Sequence, residues 1–479
     1  MSRSHRPLRR LAAAVSAAAL GVLGMVALSA PAGAAPGPNL DPDATGSLTI
    51  HKYESPNTDP GLPNDGSEIT PDPTLNPLAG VEFTLTQVTD IDLTTNEGWN
   101  EADALVTSVA AGGDLTGHTS AVVGSQSTLA DGTTTFGSLS MGVYYVEETN
   151  PGANQIVAPV EPFIVMIPLP TTIDGESTWL YDVHVYPKNA LGENEKSLDD
   201  SDAYGLGDTV SFTVDSAIPS FFGTEDLAGY SIVDDLDTRL AVTAGTTVVT
   251  AVDGAAVAIT LDPLDYTVTE PAVATGGTLT VEFTASGLAK LAAAPGGTVT
   301  VAFETTVTAI GDGTITNDVV TFINDHEITS NTVETLWGAV QIAKYDVDTD
   351  PRVGLEGAVF EVYLEATGGD PIAVDGATQF TTDADGTVLI PGLKAGTYYL
   401  DEVTAPDRYL PVTGRIEVTV TAGSLEEATV VEVANEKIPD VELPLTGGEG
   451  VALFTALGIG LILIAVGTAV TLARRGARR

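Results

Sequence analysis

Cysteine is absent from the 479 residues, so disulfides, thiolate nucleophiles and cysteine-ligated metals are excluded. Basic side chains are scarce: 19 Lys and Arg face 65 Asp and Glu, for a net charge of −46. A surface of that sign repels phosphate backbones and rules out nucleic acid as a partner. The five His are scattered without zinc spacing. Nothing forms a nucleotide-binding loop or a Ser/His/Asp arrangement, so the chain reads as no turnover enzyme and calls for no cofactor and no metal. Long amphipathic helical patterns are also missing.

What is present begins at the two ends, where most of the Arg lies. Residues 1–34 carry Arg3, Arg6, Arg9 and Arg10, an apolar run from Leu11 to Leu28 and the small-residue site Ala32-Gly33-Ala34. That is the pattern of a secretory signal peptide. At the other end Val451 to Ala473 is nearly uncharged, and as a helix it would span about 35 Å, enough for a bilayer core. Arg474, Arg475, Arg478 and Arg479 would hold its end in the cytoplasm. Without residues 1–34 and 447–479, 11 basic and 64 acidic side chains remain, a net of −53.

Just before the apolar span stand Leu443, Pro444, Leu445, Thr446 and Gly447. This motif, the apolar segment and the basic tail (443–479) together resemble the cell-wall sorting signal of Gram-positive surface proteins. The resemblance implies that a sortase cuts between Thr446 and Gly447, holds Thr446 as a thioester on its own cysteine and passes it to an amine. The precursor would be membrane-bound only transiently.

Between the ends, apolar and polar residues alternate over short runs broken by Gly, Pro, Asn and Asp, and 43% hydrophobic content suffices for packed cores despite the charge. The pattern predicts an all-β chain of tandem immunoglobulin-like β-sandwiches. Three segments follow: 45–190, with a Pro/Asp/Asn-rich insertion around 55–77; 191–336; and 337–440. The first and third match internally, Gly46–Lys52 with Gly338–Lys344, Leu78–Phe83 with Leu355–Phe360, and Gly142–Glu148 with Gly396–Glu402.

Strand parity places some polar side chains among core residues. Val340, Ile342 and Lys344 share a face, as do Tyr398, Leu400 and Glu402, and Val431, Val433 and Asn435. Each would be costly to bury alone, whereas together they can react. Desolvation favours a neutral Lys amine able to attack the Asn carbonyl, with a protonated Glu polarising that amide. The product is an amide cross-link plus ammonia.

This arrangement resembles the isopeptide-forming collagen-adhesin B-type domain. Residues Tyr399 to Tyr409 look like its E-box with Glu402 as the acid, although Arg408 stands where the box has Gly. The middle segment resembles the family's other isopeptide-forming type, which implies Lys196, Asn317 and the assisting Asp234, with Asn324 and Asn331 as alternatives to Asn317. The first segment repeats the geometry with Lys52, Glu148 and Asn189.

Trp179 to Asn189 resembles the pilin motif of sortase-assembled fimbriae, which makes Lys188, after Tyr186-Pro187, the acceptor of the next subunit. Counting faces from Trp179, with Tyr181, Val183 and Val185, sets Lys188 with Asp182, His184 and Tyr186 on the other, exposed side. Only seven Lys (52, 188, 196, 290, 344, 394 and 437) remain after processing. Asp346-Val-Asp-Thr-Asp350 and Asp383-Ala-Asp-Gly386 open like calcium loops. The first then departs, with Pro351 where Gly is needed and Gly357 where the bidentate Glu belongs, so both read as acidic turns, with a family-type calcium site left open.

The resemblance implies the shaft subunit of a covalent surface fimbrium, joined head to tail by a Thr446-to-Lys188 amide and finally anchored to the wall. A wall-anchored monomeric adhesin is the alternative. Implied partners are a pilus-polymerising sortase, identical subunits, a housekeeping sortase with peptidoglycan, minor or tip pilins, and host or bacterial surface ligands.

Overall fold

In the computed structural model the described residues are 40–439, apart from 58–60, 62, 70–74, 174–175 and 222–225, together with 455–463, 466 and 468. The expected signal peptide (1–34) and the expected sorting motif Leu443 to Gly447 lie outside them, as does much of the expected membrane segment. No helix among the described residues is long and apolar enough to cross a membrane.

The all-β expectation holds. Period-two burial is clear where the sequence alternates: Thr209–Ala217 buries Val210, Phe212, Val214 and Ser216 and turns the residues between them outward. In the first region the Thr45–His51 strand lies between parallel Asp182–Val185 and antiparallel Thr133–Ser140. Facing it is a sheet in the order Ser120–Ser127, Glu82–Val88, Gly142–Asn150, Phe163–Ile167. Leu48, Ile50, Phe83, Leu85, Val146 and Val183 fill the space between.

The middle region pairs two five-stranded sheets over a core that includes Phe212 and Phe303, ring centroids 5.5 Å apart. In the third region Val333–Asp346 pairs antiparallel with Thr387–Lys394 and parallel with the last strand, Thr429–Asn435. A second sheet packs across from it in the order Phe380–Thr381, Val359–Tyr363, Gly396–Thr404, Ile416–Val420.

The expected boundary at 336/337 falls inside a single strand. Val333–Asp346 pairs at its start with Thr314–Asn317 of the middle region and farther on with the third. Trp337 is fully buried at this crossing, and its Nε1 donates to Thr335 Oγ1 at 3.0 Å. Asp200 accepts from Thr335 Oγ1 at 2.7 Å and pairs with Lys394 at 2.6 Å. Backbone bonds from Leu206 N to Gly392 O (2.9 Å) and from Asp375 N to Leu206 O (2.7 Å) tie the same regions.

Beside the short α-helix Ala285–Ala292, the element that departs most from the sequence reading is the 15-residue α-helix Asn96–Ala110. Thr95 caps it, its side chain accepting from Gly98 N at 3.0 Å, and Ala102, Leu105 and Val109 recur at three- and four-residue intervals on the buried side. Gly98 is required by close packing, since a Cβ there would stand 1.9 Å from Asp92 O. Thr95→Ala should cost the first region about 1 kcal/mol, read as a lower unfolding midpoint; an unchanged midpoint would remove the cap from its role.

Candidate functional site: three buried lysine, carboxyl and asparagine groups

In the third region parallel register sets Val433 opposite Lys344 and Asn435 opposite Asp346, which brings the Lys344 and Asn435 side chains into contact. Lys344 Nζ also donates to Val433 O at 3.2 Å. Glu402 reaches in from the facing sheet: its Oε1 is 3.5 Å from Lys344 Nζ and accepts from Asn435 Nδ2 at 2.9 Å. Val412 N holds Glu402 Oε2 at 2.7 Å. Lys344, Glu402 and Asn435 are all buried. Burial pushes the Lys344 ammonium below its ordinary range, with Glu402 opposing.

The first region reproduces the arrangement. Lys52, at the end of the first strand, touches Asn189 Oδ1 and lies 2.9 Å from Glu148 Oε2. Asn189 Nδ2 donates to Glu148 Oε1 at 2.7 Å, while Val160 N donates to Asn189 Oδ1 at 2.8 Å. Lys52 and Asn189 have no exposure at all. Burial lowers the Lys52 pKa to about 8 against the pull of Glu148, and the charge of Lys188 adds to the lowering.

The middle group has the same components in a different arrangement. Lys196 Nζ contacts Asp234 Oδ2 and donates to Asp318 O at 3.2 Å, beneath the rings of Phe212 and Phe303 at 5.0 and 5.7 Å. Burial pushes Lys196 down and Asp234 up, each towards its neutral form, and each partner's charge resists. Asn317 is buried beside Asp234 and its side chain also opposes the rise of that carboxyl, although neither its Oδ1 nor its Nδ2 makes a well-aligned hydrogen bond. Asn324 and Asn331 spend their side-chain amides on main-chain groups. Asn324 sits in a left-handed turn (φ 53°), accepting from Ala228 N and Gly229 N. Asn331 grips the Lys196 main chain on both sides, at 2.8 and 2.9 Å.

Lys188 differs from its expected placement. It is half-buried rather than projecting, and its Nζ donates to Tyr186 O at 3.3 Å. The face count fails because the Asp182–Val185 strand stops before Tyr186-Pro187, and Lys188–Leu191 starts a new strand against Tyr53–Glu54 and Ile156–Ala158. Of the four residues counted onto the buried face, Val183 alone is fully buried.

The acidic turns use their carboxylates internally. Asp346 accepts from Asp348 N at 2.9 Å and Tyr409 Oη at 2.8 Å, and Asp383 accepts from Thr387 N at 2.8 Å. Arg408, standing at the E-box glycine position, takes a left-handed φ of 69°. The backbone donors Val160 and Val412 were not foreseeable, because both come from irregular segments whose direction no side-chain pattern encodes.

Residues 43–190 match the family described as Gram-positive pilin subunit D1, N-terminal domain; residues 185–336 match Cell surface antigen C-terminus; residues 338–437 match Prealbumin-like fold domain. The chain is 32% identical to fimbrial subunit type 2 of Actinomyces naeslundii, over 98% of this chain and 97% of that one. It belongs to the Gram-positive fimbrial pilin subunits. The pilin is also 30% identical to fimbrial subunit type 1 of Actinomyces viscosus, over 94% of its own length and 95% of the relative's. Its fold matches the full-length major pilin SpaD from Corynebacterium diphtheriae with a TM-score of 0.67 at 29% identity, covering 84% of this chain and 99% of that one. The pilin is therefore a structural shaft subunit of a cell-surface pilus.

Burial makes one direct prediction. Under native conditions an amine-acylating reagent should modify exposed Lys437 and leave Lys52, Lys196 and Lys344 untouched. Peptide mapping that finds any of these three acylated in the folded pilin would contradict the placement.

Proposed function

We propose that the three buried groups close into amide bonds, Lys52 to Asn189, Lys196 to Asn317 and Lys344 to Asn435, and that a sortase joins Thr446 of one pilin to Lys188 of the next. In each internal bond the neutral Lys Nζ attacks Asn Cγ, the Nζ–Cγ bond forms, and the Cγ–Nδ2 bond breaks. The acid (Glu148, Asp234 or Glu402) receives the lysine proton and delivers one to the departing nitrogen, which leaves as ammonia. Each group reacts once, with itself. The observation that carries the reading is the contact of Lys344 Nζ and Asn435 under a carboxyl bonded to the same amide.

In the joining step the Lys188 amine displaces the sortase cysteine from the Thr446 acyl group. Repeated head to tail, this gives an open fibre. Tension would then enter at Lys188 and leave at Thr446. Within the subunit it would follow residues 188–196, the middle cross-link, residues 317–344, the third cross-link and residues 435–446. The same chemistry with a peptidoglycan amine in place of Lys188 anchors the fibre to the wall, and minor pilins and surface ligands attach to that framework.

Intact mass of the secreted ectodomain should fall about 17 Da below the sequence mass for each bond, about 51 Da in all, since each expels one ammonia. Glu148→Ala, Asp234→Ala and Glu402→Ala should each restore about 17 Da. An unshifted wild-type mass would end the cross-link reading. On a denaturing gel of wall extracts, the high-mass ladder should vanish with Lys188→Ala; a single monomer-sized band in the wild type would indicate an adhesin that does not polymerise.

A further inference from the structure

Beside Lys188 lies an aromatic assembly that the cross-linking chemistry leaves unused. His51 ends the first strand directly before Lys52 and is 8% exposed. Parallel pairing sets Thr49 opposite His184 and Ile50 opposite Val185, so the chain direction carries His51 to Tyr186. The two rings stack with centroids 4.6 Å apart and planes 13° apart. His51 Nε2 is 2.9 Å from His184 Nδ1, a hydrogen bond that fixes the rotation of the His51 ring.

The other side of Tyr186 is held by the Pro/Asp/Asn-rich insertion. Ile69 N donates to the Tyr186 hydroxyl at 2.7 Å, the hydroxyl reaches Ser67 O at 3.5 Å, and His184 N donates to Gly66 O at 2.9 Å. Gly66 has a φ of 81°, and a Cβ there would stand 2.4 Å from Leu169 Cδ2, so the segment follows this path because that residue has no side chain. The main chain of the clamped tyrosine accepts the Lys188 ammonium at 3.3 Å. Pro187 between them fixes one of the few torsions through which Lys188 could turn away.

We infer that His51, with the 65–69 segment, clamps Tyr186 and thereby aims Lys188 at the incoming acyl group. His51 is a positioning residue and touches none of the reacting atoms. The inference rests on Lys188 being the acceptor, and it gives the insertion a part in subunit joining. In the step it serves, Lys188 first releases one proton to solvent, the bond from its neutral Nζ to the Thr446 carbonyl carbon forms, the thioester carbon–sulfur bond breaks, and the sortase sulfur leaves with the electron pair and takes up the second amine proton. A nucleophile held in the attack geometry gains rate, and a misplacement of about 1 Å can cost up to about a hundredfold.

The test follows conversion of full-length pilin to polymer in the native host by pulse-chase, with intact mass of the monomer as a control. His51→Ala should slow polymerisation about tenfold, while the Lys52–Asn189 mass loss and the amount of pilin stay at wild-type levels. His51→Phe keeps a flat ring over Tyr186 and should polymerise within about twofold of wild type. Wild-type speed in His51→Ala, or equal slowing in both variants, would overturn the clamp. Should His51→Ala fail to accumulate, Tyr186→Phe decides: it keeps the ring, loses the hydroxyl anchor and should slow joining about threefold. Wild-type speed there would likewise overturn the inference. Normal polymerisation of Lys188→Ala would instead reject Lys188 as acceptor.

Discussion

A lysine amine held out of water against a carboxyl and an asparagine amide is the constraint on which the rest of this pilin depends. Desolvating an ammonium and a carboxylate costs several kcal/mol per ion, and in the middle group burial drives both Lys196 and Asp234 towards neutrality. In the cross-linking proposed above, a neutral amine beside an amide carbonyl is the reactant and a carboxyl beside the same amide is its acid. The sandwich supplies the dry interior and its strands supply the register. In the third region, parallel pairing of Val333–Asp346 with Thr429–Asn435 is what places an early lysine against the last asparagine.

The fold also fits a load-bearing role. Without cysteine the chain has no disulfides to close its domains, and amide bonds between strands take that part in the account given above. Between the middle and third regions the chain does not depend on a loose linker. One 14-residue strand serves both, with Trp337 buried at the crossing and the Asp200–Lys394 pair beside it. The first region is connected differently: most of it precedes Lys188, so tension entering there would pass it by.

The third group was the most legible in the sequence, because parity alone set Lys344, Glu402 and Asn435 with core residues and the internal repeat carried the same reasoning to Lys52, Glu148 and Asn189. Less could be read in the middle region, where no internal repeat echoes Asp234 and Asn317 ends a strand of only four residues. The helix at Asn96–Ala110 was missed because Gly98, a poor helix former, opens its buried stripe and only Ala102, Leu105 and Val109 follow, although Thr95 and the spacing of those three were available. Lys188 was placed too far outward because a face count does not survive the break at Pro187. The contacts of residues 65–69 with His184 and Tyr186 were not legible at all: they are made through backbone groups of a segment without periodicity.

The most direct measurement of the central claim is single-molecule extension of the pilin held at positions 188 and 446. The account predicts no unfolding step from either cross-linked region, because tension crosses each through an amide bond. Steps of about 400 Å and about 300 Å, the lengths of roughly 120 residues between Lys196 and Asn317 and roughly 90 between Lys344 and Asn435 at full extension, would contradict it.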